Sequence, residues 1–468
     1  LQTAEAAVAA GTPTDPVRPE QPVDLSDAQA HRDLWQRIRD GFAMPDLDTP
    51  LVRDRERWYA SRPEYMQRMS ERGSRYLFHI VEEVEKRGLP TELALLPFIE
   101  SAFNPQAKSS AKASGMWQFM PATGRHFDLT QNVFRDDRRD VLASTRAALD
   151  YLERLHGMFG DWHLALAAYN WGEGSVSRAI ARNRKAGRPT GYLDLKMPAE
   201  TRLYVPKLQA IENLVASPAA HGLALPPLEN HPYFLAVPIR RDIDVDLVAR
   251  LAGLPPEEFH ALNPSLNKPV ILAAGTPQVL LPYDNAHRFI LALPEHKGAL
   301  ASWTAWVVPK TMKPAEAAKR VGMSEASMRE VNRIPPRMLV KAGSTLLVPR
   351  ADHHERDVSE KLADHATMKL APESPSLRRT TVKARQNESV AQLARRIGVS
   401  AVALARWNDV ARGARFAAGQ RVVVYLPAKA AKPRSAKTAA PARKSAAVKP
   451  TRPKAASAGK PRVAQPSR

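Results

Sequence analysis

Leu93-Ala94-Leu95-Leu96-Pro97-Phe98-Ile99-Glu100-Ser101 is an apolar run that ends on a carboxylate. Pro90 lies just upstream. Proline suits a helix N-terminus, because its fixed φ matches the first turn and its missing N–H has no partner there anyway. The run therefore reads as a buried helix with Glu100 near its C-terminal end. A carboxylate so placed is partly desolvated, which raises its pKa and favours proton donation near neutral pH. Taken alone, Glu100 also fits a surface carboxylate that follows a core helix.

Helical spacing continues on both sides. Apolar residues recur by fours at Ala30, Leu34, Ile38 and Phe42, and Pro45 closes that stripe. Tyr65, Met69, Tyr76, Ile80 and Val84 predict one long helical segment over 64–87. Residues 115–123 read as a short helix, 141–159 as a long one, 164–169 as a buried one and 200–216 as the last. Residues 27–226 are thus expected to form one mainly α domain, behind a disordered lead at 1–26.

Beyond residue 226 the texture becomes a repeat. Three segments, 236–284, 303–350 and 379–427, share an order: extended start, helical stretch, Asn, Gly, apolar strand ending in Pro. The Asn residues are Asn263, Asn332 and Asn408, and the Gly residues are Gly275, Gly343 and Gly419. The spacings are 12, 11 and 11. Copies in register are the signature of small repeated units, here βααβ modules. Residues 351–378 are charged and contain Pro, which reads as a linker. Residues 428–468 hold 12 Lys/Arg and no Asp/Glu, a composition that cannot bury a core and reads as a disordered tail.

Composition narrows the chemistry. Of the 468 residues 44% are hydrophobic, enough for several cores, and at about 150 residues per domain the length suggests about three folding units. The formal net charge is +21, of which the tail supplies +12 and the rest of the chain +9. The excess is therefore no sign of a polyanion-binding folded domain. Cys is absent, which removes disulfides, thiolate metal ligands and a Cys nucleophile. No apolar run reaches the roughly 18 residues that a membrane span needs. Ser101 lacks the glycines of a nucleophile elbow, and His353-His354 is not zinc-ligand spacing on one helix face.

Three short motifs change the weight given to Glu100. Glu100-Ser101 is followed by Gly115-Met116-Trp117-Gln118 and then by Ala168-Tyr169-Asn170, with Tyr204-Val205-Pro206-Lys207 beyond. Their order and spacing resemble the lytic transglycosylases with a goose-type lysozyme-like catalytic domain. The first and third motifs are intact, and the second, Gly-Leu-Met-Gln in the family, keeps its Gly and Gln. Gly41-Phe42-Ala43-Met44-Pro45 and the segment 81–88 resemble the membrane-bound lytic murein transglycosylase D type, whose C-terminal repeats are LysM modules. The likeness spans about residues 27–427. The expected fold class is α+β multidomain: a mainly α lysozyme-like domain, small LysM-like modules, and the basic tail.

The resemblance implies an exported enzyme, periplasmic or envelope-associated in a Gram-negative bacterium. Its substrate is peptidoglycan, cut at the β-1,4 bond between N-acetylmuramic acid and N-acetylglucosamine. Glu100 is the single general acid/base, and the muramyl C6 hydroxyl closes a 1,6-anhydro ring. An attached nucleophile has an effective concentration of about 10⁵–10⁸ M when well oriented, so one carboxyl suffices. The resemblance further implies substrate contacts from Ser101, which orients Glu100, and from Met116, Gln118, Tyr169, Asn170 and Tyr204. No metal and no organic cofactor are called for. A muramidase on the same bond needs a second carboxylate at about 5 Å, for which Asp161 and Glu173 are candidates; both also fit helix-start positions. A catalytically silent wall-binding scaffold is the remaining alternative. The LysM-like copies open with divergent turns, yet binding of N-acetylglucosamine-containing chains by at least one is expected. The tail is expected to contact anionic envelope polymers, with no specific nucleic-acid partner.

Overall fold

The computed structural model describes residues 33–351, 356–373 and 377–427. The lead at 1–26, the His353-His354 pair and the tail at 428–468 lie outside the described residues. The chain divides into two compact units, residues 1–373 and 374–468.

The first unit begins with helices. They are α1 (Leu34–Asp40), α2 (Pro50–Ala60), α3 (Pro63–Gly73), α4 (Leu77–Lys86), α5 (Leu96–Ser101), α6 (Pro121–His126), α7 (Val141–Phe159), α8 (Trp162–Trp171), α9 (Glu173–Lys185), α10 (Ala199–Arg202) and α11 (Tyr204–Ala216). Local chemistry sets the starts. Asp140 and Asp161 accept from Ala143 N and Leu164 N, capping α7 and α8. Asp161, a candidate second carboxylate, is therefore an N-cap. One continuous core runs through α1, α4, α5, α7, α8 and α11.

Three helix expectations are corrected. The long segment over 64–87 breaks between Gly73 and Leu77, where the Phe103 ring packs closely against Gly73. Residues 115–120 form a loop rather than a helix, and α6 starts only at Pro121. The last segment breaks at Leu203, between α10 and α11.

The modules follow. The first has β1 (Phe234–Pro238), β2 (Ile243–Asp244), α12 (Val245–Ala252), α13 (Pro256–Leu262), β3 (Val270–Ile271) and β4 (Gln278–Pro282). A further helix, α14 (Tyr283–Glu295), packs on β1 and α12. The second has β5 (Trp303–Val307), α15 (Pro314–Arg320), α16 (Glu325–Asn332), β6 (Met338–Val340) and β7 (Thr345–Pro349). The segment read as a linker carries α17 (Glu360–His365) and β8 (Leu370–Pro372). β8 pairs antiparallel with β6, and Ala363 and Ala366 are buried, so small apolar side chains in a charged stretch build structure here. The second unit holds one module: β9 (Leu377–Lys383), β10 (Glu388–Ser389), α18 (Val390–Ile397), α19 (Ala401–Trp407), β11 (Arg415–Phe416) and β12 (Arg421–Pro427).

In each module the opening and closing strands pair antiparallel, β1 with β4, β5 with β7 and β9 with β12. The repeated Asn explains the closure. Asn263, at the end of α13, donates to Leu280 O at 2.7 Å and accepts from Leu280 N at 2.8 Å. Asn332 makes the same pair with Leu347, and Asn408 with Val423. An amide side chain offers one donor and one acceptor edge, which matches a peptide group facing it. Gly343 and Gly419 turn the chain into the closing strand at φ +75°, a region that suits a residue without Cβ.

Within the first unit the modules are docked on the helical domain. Arg139 reaches Asn267 Oδ1 at 2.7 Å, Tyr76 donates to Ala261 O at 2.8 Å, and Arg135 pairs with Asp364 at 2.9 Å. Phe134 shares a buried cluster with Val270, Leu272, Leu347, Val358 and Ala363. A buried Asp242 joins the modules by accepting from Arg350 and from Val358 N, both at 2.8 Å.

Candidate active site

Glu100 sits on the last turn of α5. The helix stops because Ala102 and Phe103 both adopt left-handed φ, +51° and +54°. Two such residues in a row cost about 1–3 kcal/mol each. Burial of Phe103, edge-on to Phe98 with ring centroids 4.7 Å apart, holds the turn. Glu100 is left half-buried at the rim of the core.

The Gly115 loop is the second wall. Gly115 has φ +88°, and a Cβ there would lie 1.8 Å from Arg138 O, so no other residue fits without moving the backbone. Gln118, itself at φ +50°, donates to Gly115 O at 2.7 Å. Tyr169 donates to Trp117 O at 2.9 Å, tying α8 to this loop. Trp117 is fully buried and donates to Thr145. Asn170 accepts from Thr201 at 2.8 Å and so fixes α8 to α10. From the next helix Tyr204 donates its hydroxyl to Glu100 Oε1.

The structure thus gathers Glu100, Tyr204 and Tyr169, braced by Gln118 and Asn170. Two residues expected at the substrate are placed otherwise. Met116 is 1% exposed and belongs to the core, because its side chain points away from the loop surface. Ser101 donates to Pro97 O at 3.4 Å, the carbonyl one turn back along its own helix, so its hydroxyl does not orient the Glu100 carboxylate. Glu173, the other candidate second carboxylate, heads α9 and accepts from Tyr151 at 2.8 Å. Its own N–H, that hydroxyl and the Arg154 charge hold it below the usual carboxylate range.

Electrostatics suit Glu100 to proton transfer. Burial raises its pKa to about 7; the Tyr204 hydroxyl pulls it down, Glu200 pushes it up and Lys207 pulls it down. Tyr169 and Tyr204 are raised well above the usual phenol value, first by burial and then by the Glu100 charge, so both stay protonated donors. Glu200, exposed on α10, and Lys207, on α11 one turn past Tyr204, are charged neighbours that sequence reading left unassigned. The sequence signal was only their closeness to Tyr204. Perturbed carboxyls elsewhere show that a raised pKa alone does not locate a site. Asp137 is raised to about 7 and Glu212 to about 8, both chiefly by burial.

The arrangement can hold a proton on one enclosed carboxyl at neutral pH and stabilise the anion once that proton leaves. Comparisons with known proteins identify the family. The transglycosylase SLT domain family matches residues 79–190, which include Glu100, the Gly115 loop and α8. The LysM-like domain of lytic transglycosylase MltD matches 233–298, and the LysM domain matches 382–424. Membrane-bound lytic murein transglycosylase D of Escherichia coli K12 is 31% identical over 389 residues, covering 81% of this chain and 82% of that protein. The chain belongs to the membrane-bound lytic murein transglycosylase D family. It is a lytic transglycosylase with a helical lysozyme-like domain followed by LysM-type modules. Among solved structures, lytic transglycosylase Slt of Pseudomonas aeruginosa is 24% identical, with a TM-score of 0.26 over 32% of this chain and 25% of that one. The 70 kDa soluble lytic transglycosylase of E. coli is 26% identical, with a TM-score of 0.24 over 28% and 22%. Among the described residues no helix is long and apolar enough to cross a membrane.

Proposed function

We propose that this transglycosylase cleaves peptidoglycan between N-acetylmuramic acid and N-acetylglucosamine with Glu100 as the only acid/base. The protonated carboxyl gives its proton to the glycosidic oxygen as the bond to muramyl C1 breaks. The Tyr204 hydroxyl, already on Oε1, stabilises the carboxylate that forms. The muramyl C6 hydroxyl then attacks C1 and returns its proton to Glu100, closing the 1,6-anhydro ring. Tyr169 holds the Gly115 loop at the edge of this site, and Gln118 and Asn170 keep the walls in place for the sugar.

The observation that carries this reading is a carboxyl held near pKa 7 by burial and gripped by one phenol. Of the two carboxylates considered as hydrolytic partners, Asp161 caps α8 and Glu173 accepts from Tyr151. The LysM-type modules are read as holders of N-acetylglucosamine-containing strands, which raises the local concentration of substrate. This places the protein at the cell envelope, and the basic tail is read as a further contact with anionic envelope polymers. Digestion of purified peptidoglycan by the protein and by Glu100→Gln, with mass spectrometry of the ends, tests the reading. Glu100-dependent 1,6-anhydromuramyl ends support it. Reducing muramyl ends, or near-normal cleavage by Glu100→Gln, overturn it.

A further inference from the structure

A second cleft lies between the helical domain and the first module. It has a volume of about 660 Å³, within the roughly 300–1,000 Å³ typical of ligand sites, which favour domain junctions. Its walls come from α4, from the start of α7 and from the segments around Ser265 and Gln278. Neither Glu100 nor Tyr204 lines it.

Two buried groups in its wall have no hydrogen-bond partner. His79 is 5% exposed, and neither ring nitrogen is bonded. Arg135 Nε is likewise unbonded, with its nearest carboxylate oxygen, on Asp137, 3.6 Å away. Buried polar groups left in this way cost about 1–3 kcal/mol each, a cost that a ligand group can remove. Such groups in a roomy cleft mark a place built to be filled.

The charges on the wall say by what. Arg87, Arg135 and Arg146 share this lining with Glu83, Asp137 and Asp140. Arg87 is paired with Glu83 at 2.7 Å, Arg135 with Asp364, and Arg146 with Asp150 at 3.0 Å. Carboxyl groups and guanidiniums are interspersed on it, so a ligand of one charge sign alone does not complement the wall. A small ligand with both carboxylates and an amine complements such a wall. Arginine forks suit the carboxylates in particular.

We propose that this cleft binds the peptide stems that peptidoglycan strands carry, recognised as short peptides bearing carboxylates and a free amine. This rests on the peptidoglycan reading above, and it gives the junction between catalytic domain and first module a task of its own. The strand cut at Glu100 would thereby be selected by the peptides hanging from it.

The test is calorimetric titration of the full chain with free stem peptide released from peptidoglycan by an amidase. Saturable binding is expected. Charge reversal at half-exposed Arg146, Arg146→Glu, and the loss of both ring nitrogens in His79→Leu should each weaken binding about tenfold or more, the value of one hydrogen bond to a charged group. Circular dichroism melts confirm that each variant is folded. Stem peptide with its amine acetylated, or with its carboxylates amidated, should bind more weakly than the parent. Glu100→Gln should bind the peptide like wild type, so a failed mechanism at Glu100 and a failed cleft give different results. Absence of binding by the wild type, equal binding by both folded variants, or indifference to acetylation and amidation would each overturn the proposal.

Discussion

Replacing Tyr204 by Phe removes one hydroxyl and leaves a ring of the same shape in a site that is 4% exposed. The hydroxyl donates to Glu100 Oε1, and a donor stabilises the carboxylate more than the carboxyl. Its loss therefore raises the Glu100 pKa. A hydrogen bond to a charged group is worth about 1.5–3 kcal/mol, and 1.36 kcal/mol corresponds to one pKa unit, so the rise is about 1–2 units. Wild-type Glu100, at about 7, must be protonated to act as acid. The alkaline limb of kcat/KM against pH should accordingly fall near 7 in the wild type and near 8 to 9, as an order-of-magnitude figure, in Tyr204→Phe. The assay is release of anhydromuramyl ends from soluble glycan strands over a pH series. At low pH Glu100 is protonated in both proteins, and the rate ratio there isolates what the hydroxyl contributes to positioning. An alkaline limb that stays put or moves down would refute the placement of Tyr204 on the carboxylate.

The two charged neighbours give opposite signs. Glu200→Gln should lower the Glu100 pKa and move the alkaline limb down, while Lys207→Met should move it up, and the same pH series reads both. Gly115→Ala places a methyl group into Arg138 O at a left-handed φ; a loss of about 2–4 kcal/mol of stability is expected, seen as a lowered melting temperature together with lost activity. Asn332→Ala strips both partners from the Leu347 peptide group. It should cost about 2–4 kcal/mol and raise the hydrogen-exchange rate of the Leu347 amide far above that of the Leu280 amide, whose Asn263 partner is intact.

How much of this was legible in the residues depended on the range of the interaction that decides each feature. Helix-period apolar stripes mark the core-facing sides of α7, α8 and α11 because burial of a helix face is a local pattern. The Asn–Gly spacing exposed the modules before any contact was known, since a clamp that recurs leaves a repeat in the chain. Glu100 stands out in the sequence through its apolar helix and the motifs after it. Failures came where a distant partner decides the outcome. Met116 was expected at the sugar because of its motif, yet its side chain packs in the core beside Trp117. The Ser101 hydroxyl took the nearest carbonyl in its own helix, as serine often does. Glu200 acts on Glu100 from another helix, and nothing in its local sequence announces that. β8 was hidden in a charged stretch because its pairing partner, β6, lies about thirty residues earlier, and a strand of three residues has no period to read.

The loop from Asn132 to Asp140 has a consequence for how such proteins change over generations. Its side chains and backbone hold the first module through Asn267 and Ser265, and the α17 segment through Ala363, Asp364 and Ala366. A genetic exchange that swapped residues 233–349 for another pair of modules would import strangers to Arg139 and Phe134. Those two would then be left with unmade hydrogen bonds and bare apolar surface beside the catalytic helices. The first two modules and the catalytic domain are therefore expected to be inherited as one block.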